Sequence, residues 1–481
     1  MEQLNKSETI ALRREYIGQS CQLFFRKDPI KIVRAQGQYM YDERGNAYLD
    51  CINNVCHVGH CHPDVVKAAC DQIATLNTNN RFLHDNIVLC AERILSTMPA
   101  ELSVCYFVNS GSEANDLAIR LAQIHTGNKD IITLEHAYHG HLTSLIDISH
   151  YKFNLPGGVG QKDYVHLASC PDTYRGKFQT TDYKSEDLGH LYADEIKEIC
   201  DQVQEEGKGI CAYIAESMLS CGGQIIPPPN YFREVYSHVR KAGGVCIADE
   251  VQVGFGRVGK FWWGFQLQGE DVIPDIVTMG KPMGNGHPVA AVITTKAISE
   301  SFRKTGVEYF NTYGGNPVSC AVANAVFDTI IKDKLRENAL VVGEYLLDNC
   351  HVLARKHSII GDVRGVGLFV GIELVLDKEL KIPATEIASY VISRMKDEHI
   401  LLSTDGPDCN VIKLKPPMVF TKDNVDTFIT LFDRILKEAR EHQDLTSTII
   451  KSVNKDTILT DLSNKDARTF KKSTEQKIKS I

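Results

Sequence analysis

The chain has 481 residues, enough for two or more domains around a large core, and a formal net charge of −8, which argues against a nucleic-acid binder. Hydrophobic residues make up 43% and charged residues 24%, ordinary values for a globular protein, and no apolar run is long enough to span a membrane. The 15 cysteines lie singly along a long chain; a disulfide scaffold would be short and cysteine-dense, so a reducing compartment fits better.

The N-terminal stretch MEQLNKSETIALRREYIG lacks an apolar signal core, so secretion is not expected. Glu2, Glu8 and Glu15 interrupt its basic residues, which makes it a poor mitochondrial presequence and leaves a cytoplasmic location open. The next notable stretch, CINNVCHVGHCHP at 51–63, holds Cys51, Cys56 and Cys61 with His57, His60 and His62 between them. Zinc sites favour ligand pairs two to four residues apart with a second pair further on. Nothing downstream completes such a set, so no metal is expected.

Between about 100 and 315, short apolar runs alternate with amphipathic stretches. The runs Ser103–Val108, Asp130–Leu134, Ile210–Ala215, Val245–Ala248 and Ile276–Met279 read as buried strands, and Ser112–Thr126 and Tyr231–Ala242 as helices. This alternation predicts an α/β unit around a mostly parallel sheet, with functional residues just past the strand ends. After Pro317 the pattern predicts one long helix over 317–356, a glycine-punctuated strand pair over 361–374, a helix over 383–397, a strand at Val411–Leu414 and a last helix near 422–441. That suggests a smaller α+β unit. The expected divisions are an N-terminal segment (1–64) joined to the small domain, a large domain (65–316), the small domain (317–443) and a polar tail (444–481) too poor in apolar residues to order itself.

Four features follow strand ends in order. Asn109–Asn115 (NSGSEAN) joins a strand to a helix, where Ser110, Gly111 and Ser112 would offer N–H groups at the positive helix end, a phosphate cradle; it also reads as an ordinary helix start capped by Ser112. Tyr138-His-Gly140 puts an aromatic where it could stack on a flat ring, or simply pack in a loop. Asp249, in ADEVQ, ends a buried strand and needs a partner, such as a protonated ring nitrogen or a helix end. Lys281, in MGKP, ends another; a buried lysine is costly unless its pKa falls or its nitrogen is consumed covalently, whereas at a surface it would snorkel. Pyridoxal 5′-phosphate needs this whole set: a cradle, a stacking ring, an acid and a Schiff-base lysine.

With AYHGH, IADEVQVGFGRVGK, TMGKPMGNGHP and NTYGGNPVSC, these motifs resemble the class III (ω-type) aminotransferase family over roughly residues 25–442. The resemblance implies fold type I: a large domain with a mostly parallel seven-stranded sheet plus a smaller α+β domain. It also implies that pyridoxal 5′-phosphate is bound by Ser110, Gly111 and Ser112 at the phosphate, Tyr138 on the ring face, Asp249 at the ring nitrogen, Gln252 near the ring hydroxyl and Lys281 as Schiff base and proton shuttle. Thr312 matches a threonine that reaches the phosphate from the neighbouring subunit, so a homodimer with shared active sites is expected, and relatives are mitochondrial.

Two departures bear on the reaction. Where members acting on amino acids carry an arginine that forks a carboxylate, this chain has Lys413, with Lys415 close by. Glu216 is followed by serine rather than the usual proline. The motifs NNVCHVGHCHP, RFLHDN, PDTYRGK, CGGQIIPP and LSTDGP resemble a narrower subgroup, phospho-lyases acting on O-phosphoethanolamine or 5-phosphohydroxylysine, once named alanine–glyoxylate aminotransferase 2-like. The implied substrate is a small phosphorylated amine, with Asn53, Asn54, Glu216, Lys413 and Lys415 near it. MLSCGGQ, GKPMGNG and TYGGNPVSC lean towards O-phosphoethanolamine, LSTDGP and GVEYFN towards 5-phosphohydroxylysine, and an ω-aminotransferase is the alternative.

Overall fold

A computed structural model describes residues 3–79 and 81–461. Seven strands form one sheet in the spatial order Leu102–Val108, Ala290–Thr295, Ile276–Met279, Val245–Asp249, Ile210–Glu216, Asp130–Leu134 and Val165–Ala168. Ala290–Thr295 runs antiparallel to both its neighbours; the remaining pairings are parallel. The α/β class and the mostly parallel sheet agree with the sequence pattern, and its seven strands with the family resemblance. Every residue of Asp130–Leu134, Ile210–Glu216, Val245–Asp249 and Ile276–Met279 is buried, as a sheet covered on both faces requires.

The alternation of strand side chains sorts them between two helical layers. Tyr213 and Ala215 pack with helices Ser185–Glu205 and Tyr231–Lys241. Ala212 and Ile214 pack with helices Gly111–Thr126 and Lys296–Lys304. Each buried Leu, Ile or Phe in these layers stabilises by roughly 1.5–3 kcal/mol.

A second, antiparallel sheet contains Ile360–Val366, Phe369–Asp377, Val411–Leu414 and Ser403–Asp405. A third joins Ile32–Gln36, Tyr39–Asp42 and Ala47–Asp50, and closes on Ile400–Leu401 in parallel. The helix expected over 317–356 is two, Pro317–Lys332 and Leu335–Lys356. The chain turns at Lys334, which takes φ +52°, a conformation no glycine or proline announced. The turn re-aims the second helix so that Leu335, Ala339, Val342 and Leu346 are buried.

The last helix runs Lys422–Asp461, past the end expected near 441. No glycine or proline between 442 and 461 stops it. Residues 462–481, the rest of the expected tail, lie outside the described residues. Among the described residues no helix is long and apolar enough to cross a membrane.

Candidate active site

The C-terminal ends of the parallel strands open on a cleft of about 340 Å³. Its lining includes Ser110, Gly111, Ser112, Tyr138, Glu216, Asp249, Gln252 and Lys281. Three parallel strands fix its floor. Their register sets Glu216 opposite Asp249, and Asp249 opposite Thr278.

Asp249 ends its strand with a buried carboxylate. Asn115 Nδ2 and His139 Nδ1 each donate to Oδ2 at 2.8 Å, and the Val251 N–H donates to Oδ1 at 3.0 Å. Thr278 Oγ1 donates to Asn115 Oδ1 at 2.6 Å, and the Asn115 amide also reaches the His139 carbonyl. The sequence reading assigned no role to Asn115, His139 or Thr278. All three sit inside its quoted motifs, NSGSEAN, YHG and TMGKPMGNGHP, but their partners lie more than a hundred residues away in the chain.

Lys281 follows the strand Ile276–Met279 and makes no hydrogen bond or ion pair among the described residues. Burial pushes its pKa down, against the pull of the Asp249 carboxylate. The result is a poorly solvated amine held beside an acid, the state in which a lysine nitrogen is a nucleophile.

Ser110, not Ser112, is the N-cap of helix Gly111–Thr126; its hydroxyl accepts from the Glu113 N–H at 3.2 Å. Ser112 Oγ instead accepts from the His141 N–H. A Cβ at Gly111 would stand 2.6 Å from Val251 Cγ1, and one at Gly140 (φ +134°) 2.6 Å from Ser112 Oγ. Glycines here keep open the space in front of the helix N-terminus, where unpartnered N–H groups and the helix dipole favour an anion.

Tyr138 lines the cleft, packs edge-on to Tyr151 and donates its N–H to Glu216 Oε1 at 3.2 Å. The other Glu216 oxygen accepts from the Ser220 N–H at 2.9 Å. Burial, then the facing Asp249 carboxylate, pushes the Glu216 pKa up to about 7.

The remaining expected residues separate. Asn54 is buried and donates to Gln252 Oε1 at 2.8 Å. Asn53 folds onto its own turn, its Oδ1 accepting from the Val55 and Cys56 N–H groups. Lys413 pairs with Asp405 at 2.6 Å. Lys415 is fully buried and donates to Ser220 Oγ and Gln252 Oε1. Thr312 is exposed and does not line the cleft. Its neighbour Asn311 accepts from Asn109 at 2.9 Å and donates to Glu113 at 3.2 Å, which ties this loop to the start of the cradle helix.

The histidines of CINNVCHVGHCHP are spent on packing. His60 Nε2 donates to the buried Asp50 at 2.8 Å. His57, kept neutral by burial with a pKa near 3, donates to the Phe255 carbonyl and accepts from Arg257. No set of three or more His, Cys, Asp or Glu among the described residues could hold a metal ion.

The family model of the class III aminotransferases matches residues 25–436. The chain belongs to that family. It is 60% identical to an alanine–glyoxylate aminotransferase 2-like protein of Drosophila melanogaster, across 93% of this chain and 90% of the relative. It is 48% identical to ethanolamine-phosphate phospho-lyase homolog 1 of Caenorhabditis elegans, across 90% of this chain and 94% of the relative. A solved phospholyase from Arthrobacter in complex with phosphoethanolamine superposes with a TM-score of 0.83 at 35% identity, covering 89% of this chain and 99% of that one.

Class III aminotransferases use pyridoxal 5′-phosphate, and this cleft suits it. The amine of Lys281, the acid Asp249, the open cradle at Gly111 and the ring of Tyr138 would supply the four kinds of contact the cofactor needs.

Proposed function

We propose that this class III enzyme is a phospho-lyase that eliminates phosphate from O-phosphoethanolamine, yielding acetaldehyde, ammonia and phosphate. The observation that carries the reading is the missing arginine fork for a carboxylate: Lys413 stands in that place and is itself held by Asp405. Similarity to a phospho-lyase homolog and to a phospholyase solved with phosphoethanolamine supports it.

Pyridoxal 5′-phosphate, when bound, supplies an electron sink next to the carbon that carries the substrate amine. Asp249, fixed by its two side-chain donors, would hold positive charge at the ring nitrogen. Lys281 Nζ takes the proton from the amine-bearing carbon, and the C–O bond on the adjacent carbon breaks with its electron pair leaving on phosphate. The enamine that remains takes up water to give ammonia and acetaldehyde. Phosphate is a good leaving group, so elimination outruns amino-group transfer.

Thr312 is proposed to act from a second copy of the chain. Phe82, Leu83, Phe310 and Tyr313 stand at 84%, 101%, 50% and 60% exposure, an apolar surface that a homodimer would cover.

The test is product analysis without a keto acid. Equal amounts of phosphate, ammonia and acetaldehyde from O-phosphoethanolamine are expected. Amino transfer to glyoxylate or pyruvate alone would make the enzyme an ω-aminotransferase. Phosphate release from 5-phosphohydroxylysine alone would move the assignment to that substrate.

A further inference from the structure

Asn54 and Gln252 face each other amide to amide. Such a pair cannot set its own direction, because exchanging nitrogen and oxygen in both side chains preserves the bond. Lys415 breaks the tie. It donates to the same Gln252 oxygen; burial and the neighbouring Lys413 push its pKa well down, but the nitrogen has more N–H donors than acceptors in either protonation state. Gln252 therefore turns its oxygen to Lys415 and its NH2 group away. That NH2 has no protein partner among the described residues, is not buried, and belongs to a side chain that lines the cleft.

Lys415 itself is 1% exposed and does not line the cleft. A lysine so deeply buried would ordinarily be paired with an acid. Yet Lys415 meets no carboxylate; the nearby Asp405 is held by Lys413. Its contacts are the Ser220 hydroxyl, Gln252 and the face of Phe369 at 5.5 Å.

We propose that Lys415 is a positioning residue that never touches substrate: it locks Gln252 so that two N–H donors point into the cleft to receive an acceptor oxygen. Two sources share that chemistry, the ring oxygen of the cofactor and the phosphate of the substrate. The second source rests on the phospho-lyase reading above.

The experiment compares Lys415→Met, which keeps length and loses the charge, with Gln252→Glu, which still satisfies Lys415 but has no NH2. Both are made as cofactor-loaded enzymes, with circular dichroism as the check on folding. One arm titrates the cofactor absorbance against pH without substrate. The other measures KM for O-phosphoethanolamine and the response of the absorbance to inorganic phosphate.

If the ring oxygen is the acceptor, the absorbance midpoint rises by about one pH unit in both variants. If the substrate phosphate is, KM and the phosphate dissociation constant rise roughly tenfold while the midpoint stays. In either case the double variant should match the single ones, because both remove the same donors. Wild-type values of both readouts in folded Lys415→Met would overturn the proposal, as would effects that simply add in the double variant. If Lys415→Met does not fold, Lys415→Gln replaces it; a neutral amide can donate or accept, so the same shifts are expected. The absorbance and phosphate-binding readouts need no turnover, so failure of the lyase reading leaves this test intact.

Discussion

Glu216 and Asp249 stand side by side on adjacent parallel strands and are held by opposite means. Asp249 is fixed by the side chains of Asn115 and His139, Glu216 by the backbone N–H groups of Tyr138 and Ser220. Two carboxyls this close favour a proton on one of them, and the raised pKa of Glu216 assigns it there.

The pH dependence of stability follows. Burial raises both Glu216 and Glu250 from 4.5 to about 7. The folded state therefore holds these protons more tightly than the unfolded chain does. Stability should fall as pH rises from 4.5 through 7, by up to about 3 kcal/mol for each group. Melting temperatures across this range should show the decline, and Glu250→Gln should flatten it. A wild-type profile that climbs over the same range would contradict the assignment.

His60 acts in a higher window. Although burial opposes it, the hydrogen bond that His60 donates to Asp50 lifts its pKa to about 10. A raised histidine stabilises fully below its unfolded value of 6.5, and the contribution fades as pH rises through 10. Asp50→Asn keeps the oxygen that caps the Ile52 and Asn53 N–H groups and removes the charge. The variant should lose stability at pH 6 and show a shallower decline between pH 6.5 and 10 in chemical denaturation.

Gly111→Ala should weaken cofactor binding roughly tenfold or more, because its methyl must displace Val251 at the mouth of the cradle. Val251→Ala removes the two methyls in the way. Spectrophotometric titration with pyridoxal 5′-phosphate should find affinity restored in the double variant; no recovery would mean the cradle is closed by something else.

Lys281→Ala should retain its fold and lose the cofactor absorbance that depends on a covalent link to the lysine, together with at least a thousandfold in rate. Activity within tenfold of wild type would remove Lys281 from the chemistry.

How much of this was legible in the sequence depends on the range of the contact that decides each residue. Asp249 and Lys281 stand out because a charge ending a buried apolar strand is costly wherever the chain goes next. Asn53 and Asn54 are neighbours with the same chemistry, yet one closes a local turn and the other reaches Gln252, which no local pattern distinguishes. Lys413 and Lys415 differ because Ser403–Asp405 pairs beside Val411–Leu414 and brings Asp405 to Lys413. The strand Ala290–Thr295 went unread: it follows a glycine-rich loop and enters the sheet antiparallel, against the alternation that marked the other strands. Lys334 hid the break between two helices, since left-handed turns are usually announced by glycine or asparagine.

The pairing of Ala47–Asp50 with Ile400–Leu401 has a consequence for biosynthesis. A ribosome makes the first three strands of that sheet early and the fourth only after most of the chain has emerged. Until then Ala47–Asp50 is an open edge, able to pair with strands of other nascent chains. Closing a contact of such long sequence separation is entropically slow. Assembly of the turn that carries Asn54 to Gln252 should therefore be among the last events of folding, and cofactor capture should report it.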